Sequence, residues 1–420
     1  MRIALNFRRI DPTKGGAETY VVDLSQRLVR AGHRVDVFAE ASRAEALPPG
    51  VGVIHVPAPG LARWRRTWNF ARNSERALRA AESSYDCTVG FINTWHHDIL
   101  IPQGGVHGAS LDYNARRYAP GLRRWAYRAG KRLNPKAWIY GAIEARQYDP
   151  ARSTRVVAVS EMVRGHLRHY HDVPLDRIDV IPNAIDANRL AVPDPRAARA
   201  EFRARHGLAP DDLVALFVGH NYGLKGLRPL LLAMKARLDR DPAARPIHLV
   251  ACGGGGKPGP FRAMARDLGL GTHVQLLGFL PDIRPSFHAA DFFVLPSYYD
   301  PCSLVVFEAL ACGLPVITTA CNGAGEVMTA GREGFVVPSP DDRAALADAL
   351  DRMADDGARL AMSRAAESLG LEQSFDRHVG RLLQVFERVA EAKRGRDSGP
   401  SPQTGPKSRI TASKERSVGR

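Results

Sequence analysis

Two carboxylates stand eight positions apart in the segment SYYDPCSLVVFEALACGLPVITT, residues 297–319. Asp300 precedes a proline and a small polar residue, and Glu308 lies in the apolar run that follows. Residues of these types could exchange a proton, contribute half of a metal site, or clamp a ligand at the start of a helix. The elements predicted around the pair favour the third possibility.

The residues around this pair predict a strand, a loop and a helix in succession. DFFVLPS is typical of a buried strand, and Pro301 suits a loop or a first helical turn. Ser303 is a candidate N-cap because its hydroxyl can accept a hydrogen bond from the backbone N–H groups ahead of it. A helix that begins there would direct free N–H groups and its positive dipole end at a ligand, which favours phosphate. Asp300 and Glu308 would then approach the ligand from different points, so we expect no shared proton.

The length and composition of the chain are those of a globular protein with more than one domain. Its 420 residues suffice for two ordinary domains, and 45% hydrophobic with 25% charged residues is a usual globular balance. No apolar stretch is long enough for a transmembrane helix, and we expect no signal peptide. The five cysteines, without C-x-x-C spacing, are typical of reduced thiols, so the sequence predicts a cytoplasmic protein.

Strand patterns alternate with helical patterns along two successive parts of the chain. The first part runs from RIALNF through HRVDVFAE to TRVVAVS, and the second runs from LVALFVGHN to GFVVPS. This alternation predicts an α/β protein with two Rossmann-like, doubly wound parallel-sheet domains facing across a cleft, where ligands bind beyond the carboxyl ends of the strands. We place the domains at residues 1–188 and 189–392, with a last helix at about 374–392 that can pack back on the first domain, and a basic disordered tail at 393–420.

The segment that starts at Asp300 resembles the E-x7-E signature of retaining glycosyltransferases of family 4, which have the GT-B fold. In the same order, KGGAE, VIPNAID, VGHNYGLKG and GFL resemble the family's glycine loop, interdomain linker, first donor-domain loop and nucleobase loop. The resemblance covers roughly residues 1–390 and is greatest to the lipopolysaccharide-core glucosyltransferase subgroup. It implies transfer of a hexose from a nucleotide sugar, UDP-linked in our prediction, to a lipid-linked or polysaccharide acceptor of the cell envelope, without a metal ion.

The resemblance also implies a set of donor-binding residues. They are Gly15 and Gly16 at the pyrophosphate, His220 and Lys225 at the phosphates, Phe279 and Leu280 at the base, the backbone of Ser303, Leu304 and Val305 as a phosphate cradle, Glu308 at the ribose, and Glu326 near the sugar. Asp300, where the family usually has glutamate, would hold hydroxyls of the transferred sugar, and His220 stands where many members have arginine. Ordinary structural roles are the alternatives: an αL turn for the glycines, a solvated lysine, an exposed helical glutamate at Glu308 and a capping glutamate at Glu326.

Two residues of the first domain join Asp300 as catalytic candidates. By resemblance, His107 stands where the family often has a histidine that contacts the sugar or the acceptor, and Asp98 matches a candidate acceptor-binding or base aspartate. Either could equally be a hydrogen-bonded loop residue. The neighbouring His96 and His97 suggest a metal site, but adjacent side chains point in different directions and no known ligand spacing is completed. We therefore expect neither a metal nor another cofactor.

The net charge of +15 calls for a polyanionic partner. Arginine and tryptophan alternate in RWRRTWNFARNSERALRA and in ARRYAPGLRRWAYRAGKRLNPKAWIY, residues 63–80 and 115–140. Such segments suit an anionic membrane surface, because the rings lodge at headgroup depth while the cations meet the lipid charge. We expect peripheral binding to the inner face of the cytoplasmic membrane. A solvated basic face with aromatics packed inward is the alternative, and nucleic acid is not expected because no standard motif for it is present.

Two further function classes deserve comparison with a transferase. A non-catalytic nucleotide-sugar or nucleic-acid-binding protein on the same fold is weakly suggested by His220 and Asp300, which depart from the family pattern. A dinucleotide oxidoreductase is disfavoured, because CGGGGKPG does not provide a G-x-G-x-x-G that opens a helix and no acidic residue follows at the expected distance.

Overall fold

The strands of the chain form two large sheets and one small one, within the residues that the computed structural model describes (1–11, 15–42, 47–253 and 258–397). The first half contains β1 (Arg2–Asn6), β2 (Arg9–Ile10), β3 (Arg34–Ala39), β4 (Ala41–Ser42), β5 (Val51–His55), β6 (Cys87–Gly90), β7 (Ile99–Leu100), β8 (Arg155–Ala158) and β9 (Ile178–Val180). The second half contains β10 (Leu213–Val218), β11 (Ile247–Cys252), β12 (Val274–Gly278), β13 (Phe292–Leu295), β14 (Val316–Thr319) and β15 (Gly334–Val337).

Helices cover the faces of both large sheets. In the first half they are α1 (Gly16–Arg30), α2 (Arg63–Ala80), α3 (His107–Ala115), α4 (Leu122–Arg132), α5 (Pro135–Gln147) and α6 (Glu161–His171). In the second half they are α7 (Pro195–Arg205), α8 (Leu227–Arg240), α9 (Gly259–Asp267), α10 (Arg284–Ala289), α11 (Leu304–Ala311), α12 (Arg343–Ala354), α13 (Asp356–Glu372) and α14 (Phe375–Asp397). None of these helices is long and apolar enough to cross a membrane.

The predicted α/β class with two doubly wound sheets is confirmed. The strand orders are β5-β3-β1-β6-β7-β8-β9 and β12-β11-β10-β13-β14-β15, and the pairings in both sheets are parallel. Strands such as β6 and β13 are buried along their whole length, because helices on both faces exclude water from them. One strand, β5, was not predicted; it lies at a sheet edge and is partly exposed.

The last helix, α14, returns from the second half and packs on the first. The hydroxyl of Tyr20 on α1 lies 2.7 Å from Nε2 of His378, and the ammonium of Lys393 donates to the carbonyl of Tyr85 at 3.3 Å. The helix extends to Asp397, so residues 393–397, predicted as the start of a disordered tail, are helical. The rest of the predicted tail lies outside the described residues.

The two halves also contact each other directly at the mouth of the cleft. The hydroxyl of Ser160 donates to the carbonyl of Pro301 at 2.8 Å, and the amide of Asn183 donates to the carbonyl of Cys302 at 2.9 Å. Gly323 lies between these two segments with no room for a side chain, since a Cβ atom there would lie 2.1 Å from the Pro301 oxygen and 2.4 Å from Cβ of Ser160. The absence of a side chain at this position lets the segment that carries Asp300 approach the first half.

We predict that Gly323→Ala lowers the free energy of unfolding by about 1–3 kcal/mol, because the added methyl group overlaps backbone that cannot move freely. Urea denaturation measures this change. Gly165→Ala on the exposed side of α6, where a Cβ atom meets nothing within 4 Å, is the matched control and should be neutral or stabilising. Equal stabilities of the two variants would contradict the close contact at Gly323.

Candidate active site

Lys225 and Asp300 form an ion pair in the cleft, beyond the carboxyl ends of β10 and β13. The Lys225 ammonium contacts Oδ2 of Asp300, whose side chain is only 10% exposed. The Asp300 backbone is held on both sides, because its N–H donates to the carbonyl of Cys321 at 2.9 Å and its carbonyl accepts from the N–H of Gly323 at 3.0 Å. The structure therefore brings together two residues that the sequence analysis assigned separately to the phosphate and to the sugar.

The loop between β10 and α8 directs Lys225 toward this pair. The side-chain oxygen of Asn221 accepts from the N–H of Leu224 at 3.1 Å, and the backbone carbonyl of Asn221 accepts from the N–H of Lys225 at 2.9 Å. A Cβ atom on Gly219 would lie 2.8 Å from Cγ of Lys225, so glycine is needed where the lysine stem passes. His220 lies exposed in the same loop.

The N-termini of α1 and α11 meet across the cleft beside this ion pair. Ser303 occupies the predicted N-cap position of α11, but its hydroxyl makes no capping hydrogen bond, and no acidic residue lies in the first turn. A Cβ atom on Gly16, the first residue of α1, would lie 2.9 Å from Cδ1 of Leu304. Gly15 has an extended backbone with φ 169°, so the αL alternative does not hold for it. Because helix N-termini present free N–H groups and positive dipole ends, this meeting point suits a diphosphate.

Glu308 faces α1 from the side of α11 and is partly buried. It lines a cavity of about 40 Å³ together with Asp23 and Arg189, which form an ion pair. Burial raises the pKa of Glu308 to about 7, and the Arg189 charge opposes this increase. Burial likewise raises the pKa of Asp23 to about 6. The cavity has room for about one water molecule, which is less than a ribose ring needs.

The structure places Glu326 as a cap for a helix of the other half. Its two carboxylate oxygens accept from the N–H groups of Glu161 and Met162 at 2.6 and 2.7 Å, in the first turn of α6. Burial raises the pKa of this carboxyl, while the two hydrogen bonds oppose the increase. The capping alternative thus describes the observed contacts of Glu326, although the helix that it caps is 165 residues away in sequence.

Asp98 does not join the other candidates, which corrects its predicted place among the catalytic residues. It precedes β7 and lies at the amino end of that strand, whereas ligands of parallel sheets bind at the carboxyl ends. Its Oδ2 accepts from both the N–H and the hydroxyl of Thr88 at 2.9 Å, and the Lys393 ammonium lies 3.5 Å away. These contacts describe a hydrogen-bonded structural aspartate at the edge of the sheet opposite the cleft.

His107 lies on the cleft side of the same strand, at the first position of α3. Its backbone N–H donates to Oε1 of Glu144 at 2.7 Å, and Oε2 of Glu144 lies 3.2 Å from Nε2 of His171. Burial lowers the pKa of His107, so its imidazole is neutral at pH 7. Glu144 was not predicted as a site residue, because no motif marks it and only the packing of α5 brings it here.

The remaining candidates lie at the rim of the cleft or away from it. Phe279, directly after β12, is 71% exposed, and Leu280 is partly buried. His97 is buried and packs over Gly90, while His96 lies 3.8 Å from Glu82. Within the described residues, no group of three or more histidine, cysteine, aspartate or glutamate side chains is arranged to hold a metal ion.

Comparisons with known proteins agree with this geometry. Residues 14–189 match the family described as Glycosyltransferase Family 4, and residues 198–369 match Glycosyl transferases group 1. The D-inositol 3-phosphate glycosyltransferase of Salinispora arenicola is 30% identical over 90% of this chain and 88% of its own length. The protein of the same name from Frankia alni is 31% identical over 81% of this chain and 86% of its own length. The chain belongs to glycosyltransferase family 4.

Solved structures show that this family 4 glycosyltransferase has the GT-B fold. WaaG, a glycosyltransferase involved in lipopolysaccharide biosynthesis, superposes with a TM-score of 0.74 at 21% identity, covering 91% of this chain and 99% of WaaG. Anabaena HepE, solved in complex with UDP and glucose, superposes with a TM-score of 0.61 at 18% identity, covering 93% of this chain and 99% of HepE. GT-B glycosyltransferases of this group act without a metal ion. The non-catalytic alternative is set aside, since the chain is a glycosyltransferase.

We predict that Glu308→Gln raises stability at pH 8 relative to the native chain, on the order of 1–2 kcal/mol, and that this advantage vanishes near pH 5. The folded pKa of about 7 exceeds the ordinary value of 4.5, so the folded state holds the extra proton between these values. Stability of the native chain therefore falls as the pH rises through this window. Urea titrations at several pH values measure the difference.

Glu367→Gln, at an exposed position of α13, is the control and should show the same pH dependence as the native chain. A Glu308→Gln variant with an unchanged pH profile would show that Glu308 is solvated in the folded protein.

Proposed function

We propose that this glycosyltransferase moves a hexose from UDP-hexose, with retention of anomeric configuration, to a lipid-linked or polysaccharide acceptor in cell-envelope glycan synthesis. The observation that carries the proposal is the Lys225–Asp300 ion pair beside the joined N-termini of α1 and α11. It supplies a mobile cation, two sets of free N–H groups and a carboxylate within one cleft. A diphosphate with an attached sugar needs these groups together.

In this proposal the donor replaces the internal ion pair with two contacts of its own. Lys225 turns to the β-phosphate and offsets charge on the departing UDP, while Asp300, released from the lysine, accepts from hydroxyls of the transferred sugar. Backbone N–H groups of Ser303, Leu304 and Val305 complete the phosphate cradle, that of Ser303 by leaving the Asn322 oxygen to which it donates at 3.3 Å. Gly15 and Gly16 admit the pyrophosphate close to the backbone. His220 supplies a weaker phosphate contact than an arginine would.

The nucleoside end of the donor binds along α11, on the side that carries Glu308. Glu308 accepts from the ribose hydroxyls once α1 has moved away, and the base lies against Phe279 and Leu280. With Asp300 engaged by hydroxyls of the transferred sugar, no carboxylate among the described residues of the cleft is assigned as a nucleophile for double displacement, which supports attack by the acceptor hydroxyl on the face that UDP leaves. The complex of HepE with UDP and glucose supports UDP as the nucleotide.

A phosphorylated inositol is the second candidate acceptor. It is favoured by the curated relatives that bear the name D-inositol 3-phosphate glycosyltransferase, at 30% and 31% identity. The exposed apolar and basic surface of α4 and the start of α5, described below, favours a lipid-linked acceptor instead.

We also propose the division into domains 1–188 and 189–392, which falls in the short helical turn Ala187–Leu190.

The part of the first half that suits a membrane is the α4 surface, formed by Leu122 and Trp125 on α4, Leu133 at its C-cap and Trp138 at the start of α5. Trp125 and Trp138 are each 67% exposed, Leu122 is 78% exposed and Leu133 is 76% exposed. Arg123, Arg128, Lys131 and Arg132 lie on the same helix, so an apolar patch is surrounded by cations. We propose that this surface holds the protein peripherally on the inner face of the cytoplasmic membrane.

The basic, aromatic segment in α2 contributes less to this surface. Trp68 packs against the buried Trp95, with ring centroids 5.0 Å apart, and Arg66 pairs with Glu40. For Trp68 the alternative of an inward-packed aromatic describes the contacts, whereas Trp125 and Trp138 face solvent.

We predict that Lys225→Met lowers the rate of hexose transfer from UDP-hexose by at least about 100-fold, because the leaving diphosphate loses its cation. Release of UDP measures the rate, and NMR of the product's anomeric carbon tests retention. Lys235→Met on α8, which removes an exposed i,i+4 pair with Asp239, is the control and should retain native activity. A fully active Lys225→Met enzyme would refute the proposed role.

We predict that the double variant Trp125→Ser, Trp138→Ser lowers partitioning onto phosphatidylglycerol-containing vesicles by about tenfold or more, since two interfacial anchors are lost. Vesicle sedimentation measures it, with neutral vesicles as a reference. Leu360→Ser, Leu371→Ser removes two exposed apolar side chains of α13, 59% and 56% exposed, and should leave binding unchanged. Equal losses in both double variants would argue against a membrane role of the α4 surface.

A further inference from the structure

A cavity of about 200 Å³ lies in the first half, between the loops that follow β6 and β7 and the helices α3 and α5. We refer to it as the α3–α5 cavity. Pockets that bury drug-sized ligands have volumes of about 300–1,000 Å³, so this cavity has room for about one sugar ring. Its polar side chains include those of Asn93, His107, Ser110, Tyr140 and Glu144.

The α3–α5 cavity adjoins the segment that carries Asp300. Gly105, which lines the cavity, lies against that segment, because a Cβ atom there would be 2.3 Å from the Tyr299 hydroxyl and 2.7 Å from Cγ of Pro301. The next residue, Val106, donates its N–H to the Tyr299 hydroxyl at 3.0 Å. A ligand in the cavity would therefore lie beside the place where the donor sugar is proposed to bind.

The charges of the cavity are unsuited to a phosphate. Among the twelve described residues that line it there is no lysine or arginine, and the one carboxylate among them is that of Glu144, which is 9% exposed. The N-terminus of α3 would otherwise attract an anion, but Glu144 already accepts the N–H of its first residue, His107, at 2.7 Å. A phosphate would meet a buried negative charge at a helix end that is already neutralised.

The same groups suit hydroxyls. Nε2 of His107 is buried and has no hydrogen-bond partner among the described residues. A neutral imidazole can donate from one nitrogen and accept at the other, and a hydroxyl can match either role. The Tyr140 ring lies 6.0 Å from the His107 ring at an angle of 56°, which adds an aromatic wall to this polar corner.

We infer that the α3–α5 cavity binds an uncharged sugar ring of the acceptor and discriminates against a phosphorylated inositol. This inference rests on the proposed function and deepens it, since it selects between its two candidate acceptors. Glu144 acts as a positioning residue, because it holds the first turn of α3 in place and excludes anions from the cavity.

Saturation-transfer NMR on the full-length protein tests the inference without requiring turnover. The probes are methyl α-D-glucopyranoside, methyl α-D-galactopyranoside and myo-inositol 3-phosphate at equal millimolar concentrations. We expect transfer to at least one glycoside and little to the phosphate. Ser110→Trp fills the cavity and should lower the glycoside signal at least about fivefold, because the bulky ring excludes the ligand. Ser368→Trp, at an exposed position of α13, should retain the signal.

A second variant, Ser110→Arg, guards against loss of folding as the explanation. It supplies the missing cation and should shift the preference toward myo-inositol 3-phosphate, which an unfolded protein cannot do. Native-chain transfer that favours myo-inositol 3-phosphate, absence of transfer to both glycosides, or equal glycoside signals in the two tryptophan variants would overturn the inference. Hydrolysis of UDP-hexose without acceptor is measured separately, so failure of the donor reaction is distinguished from failure of this cavity assignment.

Discussion

A carboxylate of the second half, Glu326, caps α6 of the first half, and the geometry of the donor site depends on this contact. A helix N-terminus attracts an anion, and two N–H groups of α6 donate to the Glu326 carboxylate. These hydrogen bonds hold the chain segment around Glu326 against the first half. That segment in turn holds Asp300, because Cys321 and Gly323 exchange backbone hydrogen bonds with it. The position of the Asp300 carboxylate is thus set by how the two sheets meet, and an opening of the cleft would move it.

The helix N-termini near the cleft differ in whether a carboxylate of the chain already neutralises them. The first turns of α3 and α6 donate N–H groups to the carboxylates of Glu144 and Glu326 from distant parts of the chain, and so have little remaining affinity for an anionic ligand. The Asn322 amide oxygen accepts from the N–H of the N-cap residue Ser303 at 3.3 Å, but no acidic residue lies in the first turn of α11. Its free N–H groups lie beside Lys225, so the cleft offers its positive potential at one place, where a diphosphate would lie.

The internal pair of Lys225 and Asp300 links binding of the donor to the charge balance of the cleft. Each residue neutralises the other at a site where an unpaired charge would be costly, and a donor that supplies a phosphate and hydroxyls can satisfy both. The neighbouring α3–α5 cavity differs in charge, because its described lining contains a buried carboxylate and neither lysine nor arginine. The two sites therefore differ in the charge of the group that each can accept.

The sequence by itself determined the succession of strands and helices, the α/β class, and the N-cap position of Ser303, because apolar runs and capping residues act over a few neighbouring positions. It also placed Lys225 and Asp300 after strands whose carboxyl ends share one edge of a parallel sheet. The same rule could have excluded Asp98, which precedes its strand, had the edges been compared. Only the tertiary structure decided that Lys225 pairs with Asp300, that Glu326 caps α6, and that Glu144 neutralises α3. These contacts join residues far apart in the chain, and no local pattern specifies which helix end a distant carboxylate will meet.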